Sequence, residues 1–170
     1  MAKILFLYPN KQGHGITAIW IPSHSSVLKS QGHKVELFDA TFFKNWTVDE
    51  TSFNTKNQMY KPSEYSNFIS FSDDDVFESL QNHINKFNPD IIFWSALSSH
   101  IHGEGEYVSI EYGFELIKKV KTNALTVAGG LQATASPHEM CNKFPDVDYF
   151  ISGESEFVIA EVAKRFDQKQ

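Results

Sequence analysis

The sequence predicts an α/β fold, a parallel sheet covered by helices on both faces. Three observations predict it. Short, continuous apolar runs recur along the chain, as in strands buried on both faces. Amphipathic stretches with helical spacing separate these runs. Gly, Pro and Asn mark the boundaries between them. The length of 170 residues suits one domain carrying a long insertion. A chain of that size buries roughly 70% of its unfolded surface and needs no disulfide or metal staple.

Ile4 to Tyr8 reads as strand one. Its apolar run is too short for a signal peptide, and Pro9-Asn10 ends it. A loop to Ile21 carries Gly13 and Gly15. The next helix is placed between Pro22, suited to a first helical position, and Gly32, suited to the residue past the end. Lys34 to Phe38 is strand two. From about 41 to 72 the pattern breaks into a polar and aromatic stretch with Trp46, Phe53, Tyr60, Tyr65 and Phe68, read as an irregular insertion. Its aromatics suit covering a ligand, docking a partner, or plain packing.

Ser72 reads as the cap of the next helix, with Asp73 to Asp75 in its first turn and Val76, Leu80, Ile84 and Phe87 as its stripe. Asn88-Pro89-Asp90 stops it before strand three, Ile91 to Trp94. A helix from about Glu106 to Lys121 follows, then strand four, Ala124 to Ala128, ending in Gly129-Gly130. A short helix starts near Pro137. Strand five is Val147 to Ile151, and the last helix runs from about Ser155 to Phe166. Right-handed crossovers make this a doubly wound, flavodoxin-like or Rossmann-like sheet of five parallel strands in the order 2-1-3-4-5. Residues 1–170 are expected to form one domain.

The net charge of −6, without a basic run, argues against nucleic acid. No apolar stretch approaches the roughly 20 residues of a membrane span. Cys141 is the only cysteine, which excludes an internal disulfide and suits a reducing, cytoplasmic setting. Cys141 itself is expected to be a small packing residue.

Ligands of such sheets bind beyond the carboxyl ends of the strands. The segments there are 9–17, 95–103, 129–136 and 153–156, rich in Gly, Ser, Thr and His. Small residues let a flat ligand approach the backbone, and hydroxyls can donate to its polar edge.

Ser95-Ala96-Leu97 and Gly129-Gly130 resemble the Ser-x-Leu and Gly-Gly parts of the cobalamin-binding motif, with residues 98 to 128 between them. Ile4 to Asn10, Val127 to Thr134, Val147 to Phe150 and Gly153-Glu154-Ser155-Glu156 are similar to the N-terminal cobalamin-binding domain of cobalamin-dependent radical SAM enzymes. The resemblance covers the chain apart from about 41–72. It implies that Asn10, Gly13, Thr17, Ser95, Leu97, Ser98, Gly129, Gly130, Gln132, Ala133, Gly153 and Glu154 line a cobalamin site.

One departure matters. The longer motif begins Asp-x-His-x-x-Gly, and its histidine ligates cobalt. Aligned on Gly13, those slots hold Tyr8 and Asn10. A carboxamide is a poor cobalt ligand, so no protein metal ligand is expected there. The resemblance then implies base-off, His-off binding, with the nucleotide tail between strands three and four and Ser95 bonded to its base. It further implies methyl transfer. The radical SAM core, with three cysteines for a [4Fe-4S] cluster and a site for S-adenosylmethionine, has no counterpart here. The expectation is an excised domain or a stand-alone carrier that works with a radical SAM catalytic domain or subunit and is not catalytic alone.

Other readings stand beside this one. A flavodoxin-like phosphate binder needs a hydroxyl-rich first loop, and Thr17 is the only hydroxyl residue from Pro9 to Ile21. A receiver domain needs acids where Pro9-Asn10 and Ser95 stand. A scaffold without ligand remains open. Gly129-Gly130 could be a tight turn, Ser95 a helix cap, and Asn10 a turn residue. His14, His24, His100 and His102 are expected at the surface or in loops, although His100-x-His102 could chelate a metal. Glu154 and Glu156 could pair as acid and base, but capping the last helix or supporting the loop is the expected role.

Overall fold

The computed structural model describes residues 1–11, 18–47, 69–96 and 109–168. Five strands form one parallel sheet, β1 (Lys3–Tyr8), β2 (Lys34–Asp39), β3 (Ile91–Ala96), β4 (Leu125–Gly130) and β5 (Tyr149–Phe150), in the order β2-β1-β3-β4-β5. The helices are α1 (Trp20–Ser30), α2 (Val76–Phe87), α3 (Ile110–Ile117), α4 (Leu131–Ala135), α5 (Pro137–Lys143) and α6 (Glu156–Asp167). This is the doubly wound arrangement that the alternating pattern predicts.

Strand alternation divides the core in two. Ile4, Phe6, Ile91, Phe93 and Val127 face α1 and α6, meeting Trp20, Leu28, Ile159 and Ala163. Leu5, Leu7, Ile92, Trp94 and Ala128 face the other way, onto Leu80, Ile84, Ile110 and Leu116. Gly113 lets α3 lie against the Trp94 ring, because a Cβ there would fall 2.3 Å from Trp94 Nε1. Trp94 Nε1 donates to the Ile110 carbonyl at 3.3 Å.

Several boundaries differ from the sequence reading, each for a local reason. Pro22 is the third residue of α1, which begins at Trp20. Asp75, not Ser72, caps α2, and its side chain accepts from the Phe77 and Glu78 amides. Asp73 and Asp74 therefore precede the first turn. The helix expected from Glu106 is seen as α3, capped by Ser109, whose hydroxyl accepts from Tyr112 N; residues 106–108 lie outside the described residues. Gly129 and Gly130 belong to β4, and α4 follows at once, where no separate helix was expected. β5 is short because the Asp148 carboxylate takes Thr126 N–H and O–H, both at 2.8 Å, in place of ladder bonds.

The ends of the insertion are drawn together. Phe43 bridges Ser72 in parallel, and Asn45 Oδ1 accepts from Val76 N at 3.2 Å. Residues 48–68, with Phe53, Tyr60, Tyr65 and Phe68, lie outside the described residues. Trp46 packs inside, edge-on to Phe77 and Tyr112. Cys141 is exposed on α5, which corrects its expected packing role.

Candidate functional site

The strand order reverses between β1 and β3, so the C-terminal tips of β1, β3 and β4 border the switch. Asn10, two residues past β1, is fully buried and engaged within the protein. Ser95 is buried at the end of β3 and pairs in register with Gly129, and Ala96 pairs with Gly130.

The two glycines stand there for different reasons. Gly130 has φ +96, and a Cβ on it would lie 2.4 Å from the Ala96 carbonyl oxygen and 2.8 Å from Ser95 Oγ. Its own backbone requires glycine. Gly129 has no such constraint. A Cβ there would meet the Phe93 ring at 3.4 Å and Ser155 Cβ at 3.6 Å, which is ordinary contact. Packing among the described residues does not explain why position 129 lacks a side chain.

Gln132 sits in α4, and its Oε1 accepts from Ile110 N at 2.9 Å, tying α4 to the start of α3. Ala133 is fully buried behind it. Thr134 bridges two tips: its hydroxyl donates to the Gly130 carbonyl and accepts from Gly153 N, each at 2.9 Å. Glu154 is exposed beside that loop. Gly13, Thr17, Leu97 and Ser98 lie outside the described residues, as do His14, His100 and His102. Among the described residues, no three His, Cys, Asp or Glu side chains gather where a metal ion could sit.

His24 overturns the expectation of a surface histidine. It is 2% exposed, in α1, and stacks on Phe93 with centroids 5.3 Å apart and planes 23° apart. Its Nδ1 lies 2.8 Å from the Trp20 carbonyl, which can only accept, so Nδ1 carries the proton. Nε2 lies 2.7 Å from Ser155 Oγ and accepts its proton when the ring is neutral. Burial lowers the His24 pKa, against the raising effects of that carbonyl, Glu156 and Glu154. Glu156, whose pKa is lowered first by its own backbone amide, accepts from Ser23 Oγ at 3.1 Å. That bond joins the first turns of α1 and α6. Among the described residues, buried Trp20 Nε1 finds no acceptor.

On the other face of the sheet, Lys11 Nζ lies 4.1 Å from the Trp46 ring centroid and 4.4 Å from that of Tyr112. It also pairs with the Glu115 carboxylate. This cage joins the exit of β1 to the base of the insertion and to α3.

Sequence reasoning missed His24, Ser155 and the Lys11 cage. The His24 signal was present: Trp20, His24 and Leu28 recur every fourth residue and form the buried stripe of α1. The cage joins residues over a hundred positions apart in sequence and leaves no local pattern.

Among the described residues, the tips thus offer a glycine without a packing reason, buried hydroxyls and an indole N–H without an acceptor. Such a set can hold a flat ligand with polar edges.

No family model matches the sequence, and no curated protein matches it. Solved structures do match. The radical S-adenosylmethionine methyltransferase TsrM from Kitasatospora setae, with tryptophan substrate and a SAM analog bound, aligns over 100% of this chain with a TM-score of 0.67 and 17% identity. The cobalamin-dependent S-adenosylmethionine radical enzyme OxsB, with aqua-cobalamin and S-adenosylmethionine bound, aligns over 100% with a TM-score of 0.57 and 14% identity. The chain spans 26% of the TsrM chain and 19% of the OxsB chain. At these identities the likeness is one of fold.

Proposed function

We propose that this chain binds cobalamin at the C-terminal edge of its sheet and is the corrinoid-binding part of a larger radical SAM system. Methyl transfer is the reaction class favoured, since the TsrM structure is that of a methyltransferase. The observation that carries the reading is Gly129: a strand-tip glycine with no packing reason among the described residues to lack a side chain, paired with buried Ser95 beside the strand-order switch. A bound corrinoid supplies a cobalt centre that can carry a methyl group.

In this reading Ser95 and Gly129 face the ligand, and Gly13, Thr17, Leu97 and Ser98 complete the contact from the neighbouring loops. Gly130, Gln132, Ala133 and Gly153 shape the wall behind it, and Glu154 lies at the rim. Asn10 replaces the cobalt-ligating histidine, so the ligand is held base-off and His-off, with its nucleotide arm entering beside Ser95. In such a radical SAM system, the iron–sulfur cluster and S-adenosylmethionine site would come from another domain or subunit.

The test is the absorption spectrum of the purified chain after incubation with hydroxocobalamin or methylcobalamin and gel filtration. A base-off spectrum that co-elutes with the protein is expected. Cobalamin eluting wholly free would overturn the reading and leave a ligand-free scaffold.

A further inference from the structure

Lys11 leaves β1 directly after Asn10, the residue that replaces the cobalt-ligating histidine in the corrinoid reading. Its side chain is only 16% exposed, and three groups hold the ammonium: the Trp46 ring, the Tyr112 ring and the Glu115 carboxylate, the last at 2.5 Å. Withdrawing a charge from water costs free energy that an apolar side chain between two rings would not incur. What the charge adds is a fixed position, because it must lie over two ring faces and within reach of one carboxylate at once. Packing by itself does not require an ammonium at position 11.

Trp46 in turn is held by its ring. It lies edge-on to Phe77 and Tyr112, and among the described residues its buried Nε1 finds no acceptor. The Trp46 and Thr47 amides both donate to the Phe43 carbonyl at 3.0 Å, so the indole and the turn at the base of the insertion form one unit. Lys11 joins the exit of β1 to that unit.

We propose that Lys11 is a positioning residue for the corrinoid site. Its cage fixes the backbone at Asn10 and, through Trp46, links it to the base of the insertion on the α2–α3 face of the sheet. Ligand at the strand tip and order at the insertion base then reinforce each other by linkage. The proposal rests on the corrinoid reading above and adds the residue that holds one wall of that site in place.

The test is an equilibrium titration with hydroxocobalamin of the full chain, Lys11→Met, Glu115→Gln and Thr126→Ala, with circular dichroism to confirm folding. Lys11→Met should weaken binding about tenfold. Glu115→Gln removes only the carboxylate charge and should weaken binding about threefold, which keeps the test open if Lys11→Met does not fold. Thr126→Ala removes hydroxyl bonds with Asp148 at the amino end of β4, away from the cage, and should leave binding unchanged. Hydrogen exchange gives a readout that a merely structural lysine would not move. Hydroxocobalamin should slow exchange of the Trp46 and Thr47 amides in the unaltered chain, and at saturation should not slow it in Lys11→Met or should slow it less in Glu115→Gln. If the cage variants bind as tightly as the unaltered chain, if Thr126→Ala weakens binding equally, or if the slowing at 46–47 is absent or survives both substitutions in full, the positioning role is overturned while corrinoid binding stands. If the unaltered chain takes up no hydroxocobalamin, the corrinoid reading fails and the role of Lys11 fails with it.

Discussion

His24 and Ser155 meet across the α1–α6 interface, with Nε2 and Oγ 2.7 Å apart. The bond joins residues 131 positions apart in sequence and lies under the tip of β4. It therefore couples the packing of two helices to the place where a ligand is proposed to bind.

The burial of His24 makes stability depend on pH. The folded chain holds His24 neutral, with its pKa below the ordinary 6.5, because burial penalises the imidazolium. The unfolded chain protonates first as pH falls through 6.5, so the stability that neutral His24 contributes is present above that value and is lost below it. His33, also lowered by burial, acts in the same direction. Melting temperatures at pH 7.5 and 5.5 should fall more for the unaltered chain than for His24→Gln. An identical drop would assign the whole effect to His33 or other groups.

The two strand-tip glycines should separate in mutagenesis. Gly130→Ala forces a residue with a Cβ into positive φ against the Ala96 carbonyl and should cost about 1–3 kcal/mol. Gly129→Ala fits the space and should leave stability unchanged or raised by up to about 1 kcal/mol, because alanine loses less backbone freedom on folding. Yet Gly129→Ala should weaken cobalamin retention. Denaturant melts and gel-filtration spectra of both variants check the pair. Full retention by Gly129→Ala would remove the observation on which the proposed function rests.

Asp75→Ala should destabilise the chain by about 1 kcal/mol, since it frees the Phe77 and Glu78 amides from their shared acceptor. Ser72→Ala should cost less, because the Ser72 hydroxyl bonds Asp74 ahead of the helix and not the amides of its first turn. Urea titration of the two variants decides which residue caps α2.

Lys11→Met keeps much of the side chain's bulk and removes its charge from the rings of Trp46 and Tyr112. The expected loss is about 0.5–2 kcal/mol. A double-mutant cycle with Trp46→Leu should show coupling between the two positions. Additive effects would mean that the cage contributes packing alone.

The fold was legible because strands buried on both faces write themselves as unbroken apolar runs: Ile4 to Leu7 and Ile91 to Trp94 needed no knowledge of their neighbours. The strand tips were legible as well, since small residues cluster at Ser95, Gly129 and Gly130. The sequence could not separate the two glycines. Glycine at 130 is needed both for its positive φ and for the Ala96 carbonyl on a neighbouring strand, a contact across 34 positions that leaves no local trace.

By itself, then, the sequence determined the α/β class, the strand order and the edge of the sheet that carries small polar residues, because these follow from periodicities of two and 3.6 residues and from the handedness of crossovers. Only the tertiary structure decided that His24 is buried against Phe93 and Ser155, that Lys11 sits between Trp46 and Tyr112, and that Asp148 rather than a longer strand holds the edge at Thr126. Each of these depends on polar groups from distant segments desolvated together, and that partnership exists only once the layers have packed.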